Sequence, residues 1–169
     1  MRLEVARILI EEGANYDAYA ACARNDCDRL NAIIAETPEL VASEASHPYD
    51  TTPLHWAARA NSIDCARILL EDEDADVNAR TKSHRTPIQL AAEQDAADAI
   101  RLLATFGAEI DTQDRKGRTP LHRATYEGKV SAADALLKVG ADPAVTNAKG
   151  KTAFKIARKE AKHFKQRRA

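Results

Sequence analysis

The chain has 169 residues, 44% of them apolar and 30% charged, which is typical of one soluble globular domain. No apolar stretch approaches the roughly 20 residues of a membrane span, and Glu4 and Arg7 interrupt the N-terminal apolar residues, so we expect no secretory signal. The net charge of −1 hides an asymmetry: residues 1–113 contain 10 Lys and Arg against 21 Asp and Glu (−11), and residues 114–169 contain 15 against 5 (+10).

The three cysteines, Cys22, Cys27 and Cys65, are an odd and low number, which favours a reducing compartment and a cytoplasmic location. No second Cys or His pair at zinc-ligand spacing accompanies them, so we expect small core residues and no metal site.

Residues 1–46 have the least regular pattern. The segment "VARILIEEGANYD", from Val5, aligns with "CARILLEDEDADV", from Cys65, and the segment from Tyr16 predicts a helical pair. The inner face of that pair would consist of Cys27, Leu30, Ile33 and Ile34. No polar turn separates Asn15 from Tyr16. Either two helical units connect abruptly there, or residues 1–15 are half of a repeating unit, a half-repeat that acts as a cap.

The rest of the chain repeats itself. "TPLHWAA" begins at Thr52, "TPIQLAA" at Thr86, "TPLHRAT" at Thr119 and "TAFKIAR" at Thr152, with spacings of 34, 33 and 33 residues. Each of the first three is followed by a second apolar block and then by polar residues that form turns. A period near 33 residues is typical of a repeat architecture.

The unit that begins at Thr119 shows the physical basis of the period. Thr119 is a suitable N-cap, Pro120 is tolerated at the first helical position, and Gly128 can end the short helix in a left-handed conformation. Apolar residues at helical spacing from Val130 predict a second helix, which ends at Gly140. Because isolated helices shorter than ~12–15 residues are marginal in water, such units need neighbours that cover their apolar faces.

With "TPLHWAA" from Thr52 and "ADVNA" from Ala75, the chain resembles the ankyrin repeat family. The resemblance implies an all-α solenoid of stacked helix-turn-helix units, with turns or β-hairpins as fingers. It divides the single domain 1–169 into a half-repeat at 1–15, repeats at 16–46, 47–80, 81–113 and 114–146, and a capping partial repeat at 147–169. The departures are Gln89 and Lys155 in the histidine position and the acids of residues 71–74 in place of a glycine, where Asp74 would take the left-handed conformation.

The resemblance also implies a non-catalytic module that binds a protein through a concave surface of fingers and first helices. We expect a monomer whose partner is an acidic or phosphorylated protein segment, since Arg and Tyr are frequent on this surface. The residues carried over to it are Tyr49, Thr51, Trp56, Arg59, Lys82, Arg85, Glu93, Arg115, Arg118, Arg123, Tyr126 and Glu127. A lone Trp at the position of Trp56 is more often a packing residue than a binding residue, although Trp56 lies beside the expected groove.

The histidines and carboxylates do not predict an enzyme. His55 and His122 occupy the TPLH position, whose imidazole bridges neighbouring fingers in the family, and no nucleophile is placed beside them. There is no Gly-rich phosphate loop, so we expect no cofactor. The acids of residues 71–76 lack the ligand spacing of a calcium loop and predict a solvated turn.

The basic C-terminal segment allows two interpretations. From Lys151 onward it has eight Lys and Arg against one acid, Glu160. It is either a capping helix with a solvated outer face or a contact for nucleic acid or an anionic membrane surface. We favour the cap, because no pattern of base-stacking aromatic residues accompanies the charges.

Overall fold

The computed structural model describes residues 18–38, 51–72 and 75–166, and within these ranges it contains helices and turns but no strand. One isolated bridge joins Thr146 and Thr152. The helices are α1 (residues 18–24), α2 (Cys27–Glu36), α3 (Pro53–Ala60), α4 (Ile63–Leu70), α5 (Pro87–Glu93), α6 (Ala97–Thr105), α7 (Pro120–Tyr126), α8 (Val130–Lys138) and α9 (Ala153–Gln166). The predicted all-α fold is confirmed, with turns as the fingers. The predictions for residues 1–15, Tyr49 and Asp74 lie outside the described residues.

The helices form two packed rows. In the first row α3, α5, α7 and α9 pack in consecutive pairs, and in the second α2, α4, α6 and α8 do so. The core between the rows is rich in alanine and leucine, including the fully buried Leu69, Leu103 and Leu136, which recur one repeat apart. Small alanines let the short helices approach closely, and the leucines supply most of the buried apolar area.

The first-row helices begin as the Thr-Pro pattern predicts. The Thr119 hydroxyl accepts a hydrogen bond from the His122 backbone N–H (3.4 Å), and His122 Nδ1 accepts one from the Thr119 N–H (3.3 Å). In the two preceding Thr-Pro units, His55 Nδ1 accepts from the Thr52 N–H (3.1 Å) and Gln89 Oε1 accepts from the Thr86 N–H (3.3 Å), while the buried Thr86 hydroxyl has no partner among the described residues. Each cap satisfies donors that a helix N-terminus would otherwise leave unpaired.

The residue three positions after each of these threonines also forms a hydrogen bond with the next repeat. His55 Nε2 lies 3.1 Å from the Arg85 carbonyl, and His122 Nε2 lies 2.8 Å from the Lys151 carbonyl. Because Nδ1 accepts from a backbone N–H, Nε2 carries the proton and donates. The bridging role that the resemblance implies for these histidines is therefore confirmed.

Two other side chains also donate a hydrogen bond to a backbone carbonyl of the next repeat. Gln89 Nε2 donates to the Arg118 carbonyl (2.9 Å) and to the Thr112 carbonyl (2.9 Å). The Tyr19 hydroxyl, on α1, donates to the Thr51 carbonyl (2.7 Å). Tyrosine, histidine and glutamine thus alternate in one structural position because each can donate a hydrogen bond from the end of its side chain.

Three of the second-row helices, α4, α6 and α8, are capped by the preceding repeat, whereas the Asp26 side chain caps α2 locally by accepting from the Arg29 N–H (3.1 Å). The N-cap residues of α4, α6 and α8 make no side-chain cap of their own. Instead, Asn61 Oδ1 accepts from the Ala99 N–H (3.0 Å) and Asp95 Oδ1 from the Ala132 N–H (2.7 Å). Asn25 Oδ1 contacts the Cys65 N–H in the same way (3.4 Å). These three acceptors sit at φ +55° to +63°, the conformation that Gly128 adopts at +67°.

The three cysteines are free thiols that lie together between α1, α2 and α4. Cys22 and Cys65 are buried, and the Cys27 and Cys65 sulfurs are 3.5 Å apart. A hydrogen bond with Cys22 and burial together raise the pKa of the Cys65 thiol. This environment fits the prediction of small core residues, since a raised pKa lowers thiolate reactivity.

Candidate functional site

Three finger turns precede α5, α7 and α9, and we name them finger A (residues 81–85), finger B (114–118) and finger C (147–151). In each, the first residue's N–H donates to the carbonyl of the fifth, at 2.9, 3.1 and 3.0 Å. The fourth residue has a positive φ of 58°, 66° or 64°. These shared bonds make each finger a closed turn of the same shape.

The fingers contact one another along the stack. The Arg115 N–H donates to the Ser83 carbonyl (3.4 Å), and the Ala148 N–H donates to the Lys116 carbonyl (3.2 Å). A Cβ atom on Gly117 would lie 2.6 Å from the Ala148 nitrogen, so finger B requires glycine there. Side chains of neighbouring fingers are therefore held in a fixed row.

Residues from the first-row helices complete the surface predicted from the sequence. At its N-terminal end, Trp56 Nε1 donates to Thr51 Oγ1 (3.1 Å), the Trp56 ring centroid is 5.7 Å from that of Tyr19, and the Arg59 guanidinium carbon is 5.6 Å from the Trp56 ring. Trp56 is half-buried. It therefore packs on Tyr19 and also offers a ring edge and a stacked cation at the surface.

An ion-pair network joins five side chains in the centre of the surface. Asp114 Oδ2 accepts from Arg123 (2.8 Å) and from Arg118 Nε (3.0 Å). Arg123 also reaches Glu93 Oε1 (3.3 Å), and Glu93 Oε2 accepts from Arg85 (3.0 Å). Three of the predicted arginines are therefore balanced by two carboxylates of the same chain.

Asp114, at the start of finger B, is the residue that sequence reasoning missed. Its Oδ1 accepts from the Lys116 and Arg118 N–H groups (2.8 and 2.9 Å), and its side chain is 2% exposed. Burial alone would raise the pKa of Asp114, but these N–H groups and the Arg118 charge hold it below its ordinary value. The available signal was its spacing of four residues from Arg118.

The resemblance places Arg118 and Arg123 on the surface expected to bind a partner. In the structure the side chain of Arg123 is only 9% exposed and both guanidinium groups bond Asp114, so both arginines also hold the scaffold together. Their contact with a partner stays a prediction. The predicted residues that face solvent are Arg59, Lys82, Arg115, Tyr126 and Glu127, with Tyr126 58% exposed.

The two TPLH histidines are not arranged as catalytic groups. His55 and His122 are buried, and both ring nitrogens of each have partners in the caps and fingers. In the ranges that the structure describes, no three His, Cys, Asp or Glu side chains converge as metal ligands would.

Comparison with known families matches two models over contiguous parts of the chain. The "Ankyrin repeats (3 copies)" model matches residues 73–147, and the "Ankyrin repeat" model matches residues 49–82. Together they cover more than half of the chain, and they agree with the stacked helical pairs of the structure. The chain belongs to the ankyrin repeat family.

Individual proteins share this similarity over about half of the chain. Human ankyrin repeat and SOCS box protein 16 is 37% identical over an alignment of 100 residues that covers 53% of this chain and 21% of that protein. Chicken inversin is 34% identical over 87 residues, and the Drosophila melanogaster transient receptor potential cation channel subfamily A member 1 is 30% identical over 92. These cover 52% and 53% of this chain and 8% of each relative.

Ankyrin repeats are generally protein–protein interaction modules and are typically non-catalytic, so a protein partner is the general expectation for this chain. Among the helices that the structure describes, none is both long and apolar enough to cross a membrane.

Proposed function

We propose that this chain is a non-catalytic, monomeric, intracellular module that binds a protein partner through its fingers and first-row helices. The observation that carries the proposal is the surface at Trp56, Arg59 and Tyr126. These residues combine a half-buried indole, a cation held over it and, two units further along the first row, an exposed phenol ring at the end of α7. Trp, Tyr and Arg are the side chains that protein interfaces favour.

Rigidity supports the same proposal. The fingers are closed by backbone bonds and joined to the preceding first-row helices by His55, Gln89 and His122. Binding therefore orders few groups that are not already ordered, which limits the entropic cost of association. We propose an acidic protein segment as the partner, in keeping with the basic fingers.

The test compares proteins captured from the native cell by the biotinylated chain and by two double variants. Arg59→Ala/Tyr126→Ala removes a cation and an exposed apolar group from the surface, and Arg67→Ala/Val130→Ala removes the same kinds of group from the second-row helices. Wild type and the second variant should capture the same proteins, and the first should lose them about tenfold. Equal capture by the first variant would contradict the proposal, and capture that nuclease abolishes would indicate nucleic acid.

A further inference from the structure

The tips of the three fingers form an exposed row of cations, which we name the fingertip ridge. It consists of Lys82, Arg115, Lys116, Lys149 and Lys151, all of which face solvent. The only acid in fingers A, B and C is Asp114, which is buried and already bonded to two arginines. The ridge therefore presents positive charge with no exposed carboxylate among it.

The ridge differs from the centre of the surface in its available charge. Arg85, Arg118 and Arg123 are engaged by Glu93 and Asp114, so an incoming carboxylate would compete with internal partners there. Arg115, Lys116 and Lys149 have no ion pair with any described residue. Arg115, Lys116 and Lys149 thus offer an acidic partner cations that have no ion pair with a described residue, beside arginines that do.

The cations are repeated at matching positions of the turn. Lys82 and Arg115 are the second residues of fingers A and B, and Lys116 and Lys149 are the third residues of fingers B and C. The fingers follow the stacking of α5, α7 and α9, which pack in consecutive pairs. Packed helices lie about 8–10 Å apart, so equivalent cations recur at about that distance.

A polyproline II segment has the same period. It has 3 residues per turn and rises about 3.1 Å per residue, so every third side chain returns to one side after about 9 Å. A fully extended β-segment alternates sides every second residue and cannot present every third side chain to one surface. We propose that the fingertip ridge binds an acidic protein segment in polyproline II conformation, with a carboxylate at every third residue.

A protein segment is favoured over nucleic acid at this ridge. Fingers A, B and C contain no Phe, Tyr or Trp, and His84 is their single aromatic ring, so they lack the succession of rings on which neighbouring bases stack. The proposal rests on the proposed function and specifies its partner.

The test uses two fluorescent peptides of equal composition and charge. One repeats Glu-Pro-Pro four times, and the other places its four glutamates together before the prolines. Fluorescence anisotropy at low salt should show about tenfold tighter binding of the spaced peptide, since each exposed ion pair changes affinity about two- to fivefold. The preference should weaken as salt is added.

The variants locate the contact. Lys116→Gln/Lys149→Gln should abolish the preference for the spaced peptide, whereas Arg67→Gln/Lys138→Gln, with the same loss of charge on the second-row helices, should retain it. Thermal melting would show that both variants fold.

Equal binding of the two peptides, or an unchanged preference in the ridge variant, would overturn the ridge proposal alone. Tighter binding of a uridine oligonucleotide of matched charge would overturn it in favour of nucleic acid. The lysate capture by the Arg59→Ala/Tyr126→Ala variant decides the proposed function separately.

Discussion

Asp114 and Arg123 form a buried ion pair between finger B and helix α7, with a distance of 2.8 Å and side chains that are 2% and 9% exposed. Both charges are removed from water, so each depends on the other for compensation. Removing either side chain would leave a buried charge that is not fully compensated. Glu93 shares Arg123, so the loss of Asp114 is only partly compensated. The pair therefore couples the shape of the finger to the helix that follows it.

Asp114→Asn should lower the free energy of unfolding by about 2–4 kcal/mol, because Arg118 and Arg123 would lose their shared carboxylate. Urea denaturation followed by circular dichroism measures the change. The matched control is Asp134→Asn, whose partner Lys138 is 69% exposed, and it should change stability by less than about 1 kcal/mol. Equal effects of the two substitutions would show that the buried network is not stabilising.

Asp95→Ala should destabilise the chain by about 1–2 kcal/mol, because it removes the cap of α8 and places a non-glycine residue without a polar side chain at φ +63°. Asp95→Gly should cost less, since glycine tolerates that φ, as Gly128 does. Asp95→Asn keeps the acceptor and should cost least. Thermal unfolding ranks the three variants, and an alanine variant as stable as wild type would contradict capping across repeats.

His55→Gln should flatten the dependence of stability on acid pH. Burial lowers the pKa of His55 from 6.5 to about 4, so below pH 6.5 the unfolded chain binds a proton before the folded chain does. The stability that neutral His55 contributes is complete above pH 6.5 and is lost, at up to about 1.4 kcal/mol per pH unit, as pH falls towards 4.

Glutamine at position 55 preserves the bridge, since Gln89 makes it naturally, but does not titrate. The difference in unfolding free energy between wild type and His55→Gln should therefore move in favour of the variant between pH 7 and pH 5. The exposed His84→Gln is the control for removal of a histidine. Parallel stability profiles for wild type and His55→Gln would exclude His55 as the titrating group.

Leu136→Ala should cost about 2–5 kcal/mol, because Leu136 is 0% exposed and its loss leaves a cavity in the stack. The neighbouring Leu137, which is 50% exposed, is the control and should cost less than about 1 kcal/mol when changed to alanine. Denaturant midpoints distinguish the two. A larger effect at Leu137 would mean that the helix is rotated relative to the assigned face.

The sequence predicted the helices well where the residues that begin and end a helix all act within one repeat. Thr119, Pro120 and Gly128 act within a single repeat, so their roles could be read from local propensity, and the structure has α7 where they place it. The apolar period likewise identified Leu136 as core. Burial agrees with that period at Leu136 but not at Val130 and Leu137, which are 78% and 50% exposed, because the apolar spacing predicts a helix more reliably than it predicts which side of the helix is buried.

Beyond the bridges of His55 and His122, the sequence did not reveal which residues would contact each other across the stack. Tyr19 shares with histidine an aromatic ring and a hydrogen-bond donor at a similar reach, but a pattern search for TPLH does not find it. Asp114 looked like an ordinary turn residue, and Asp95 an ordinary acid after a helix. Tyr19 and Asp95 acquire their roles from residues 32 and 37 positions away in other repeats, which only the stacked fold brings near. Asp114 acquires its role within its own unit, from Arg118 and from Arg123, which is nine positions away.

The caps across repeats also determine which units can be neighbours. Asn25 donates to Asp64 and Asn61 hydrogen-bonds with Asp98, whereas Asp95 accepts from Ser131. An amide thus faces an acid at two junctions and an acid faces a hydroxyl at the third. If the units were shuffled so that Asp95 faced Asp64 or Asp98, two carboxylates would meet at a helix N-terminus. The side-chain pairs at the junctions therefore favour the native order of the repeats. An array of the same repeats in a different order would be less stable.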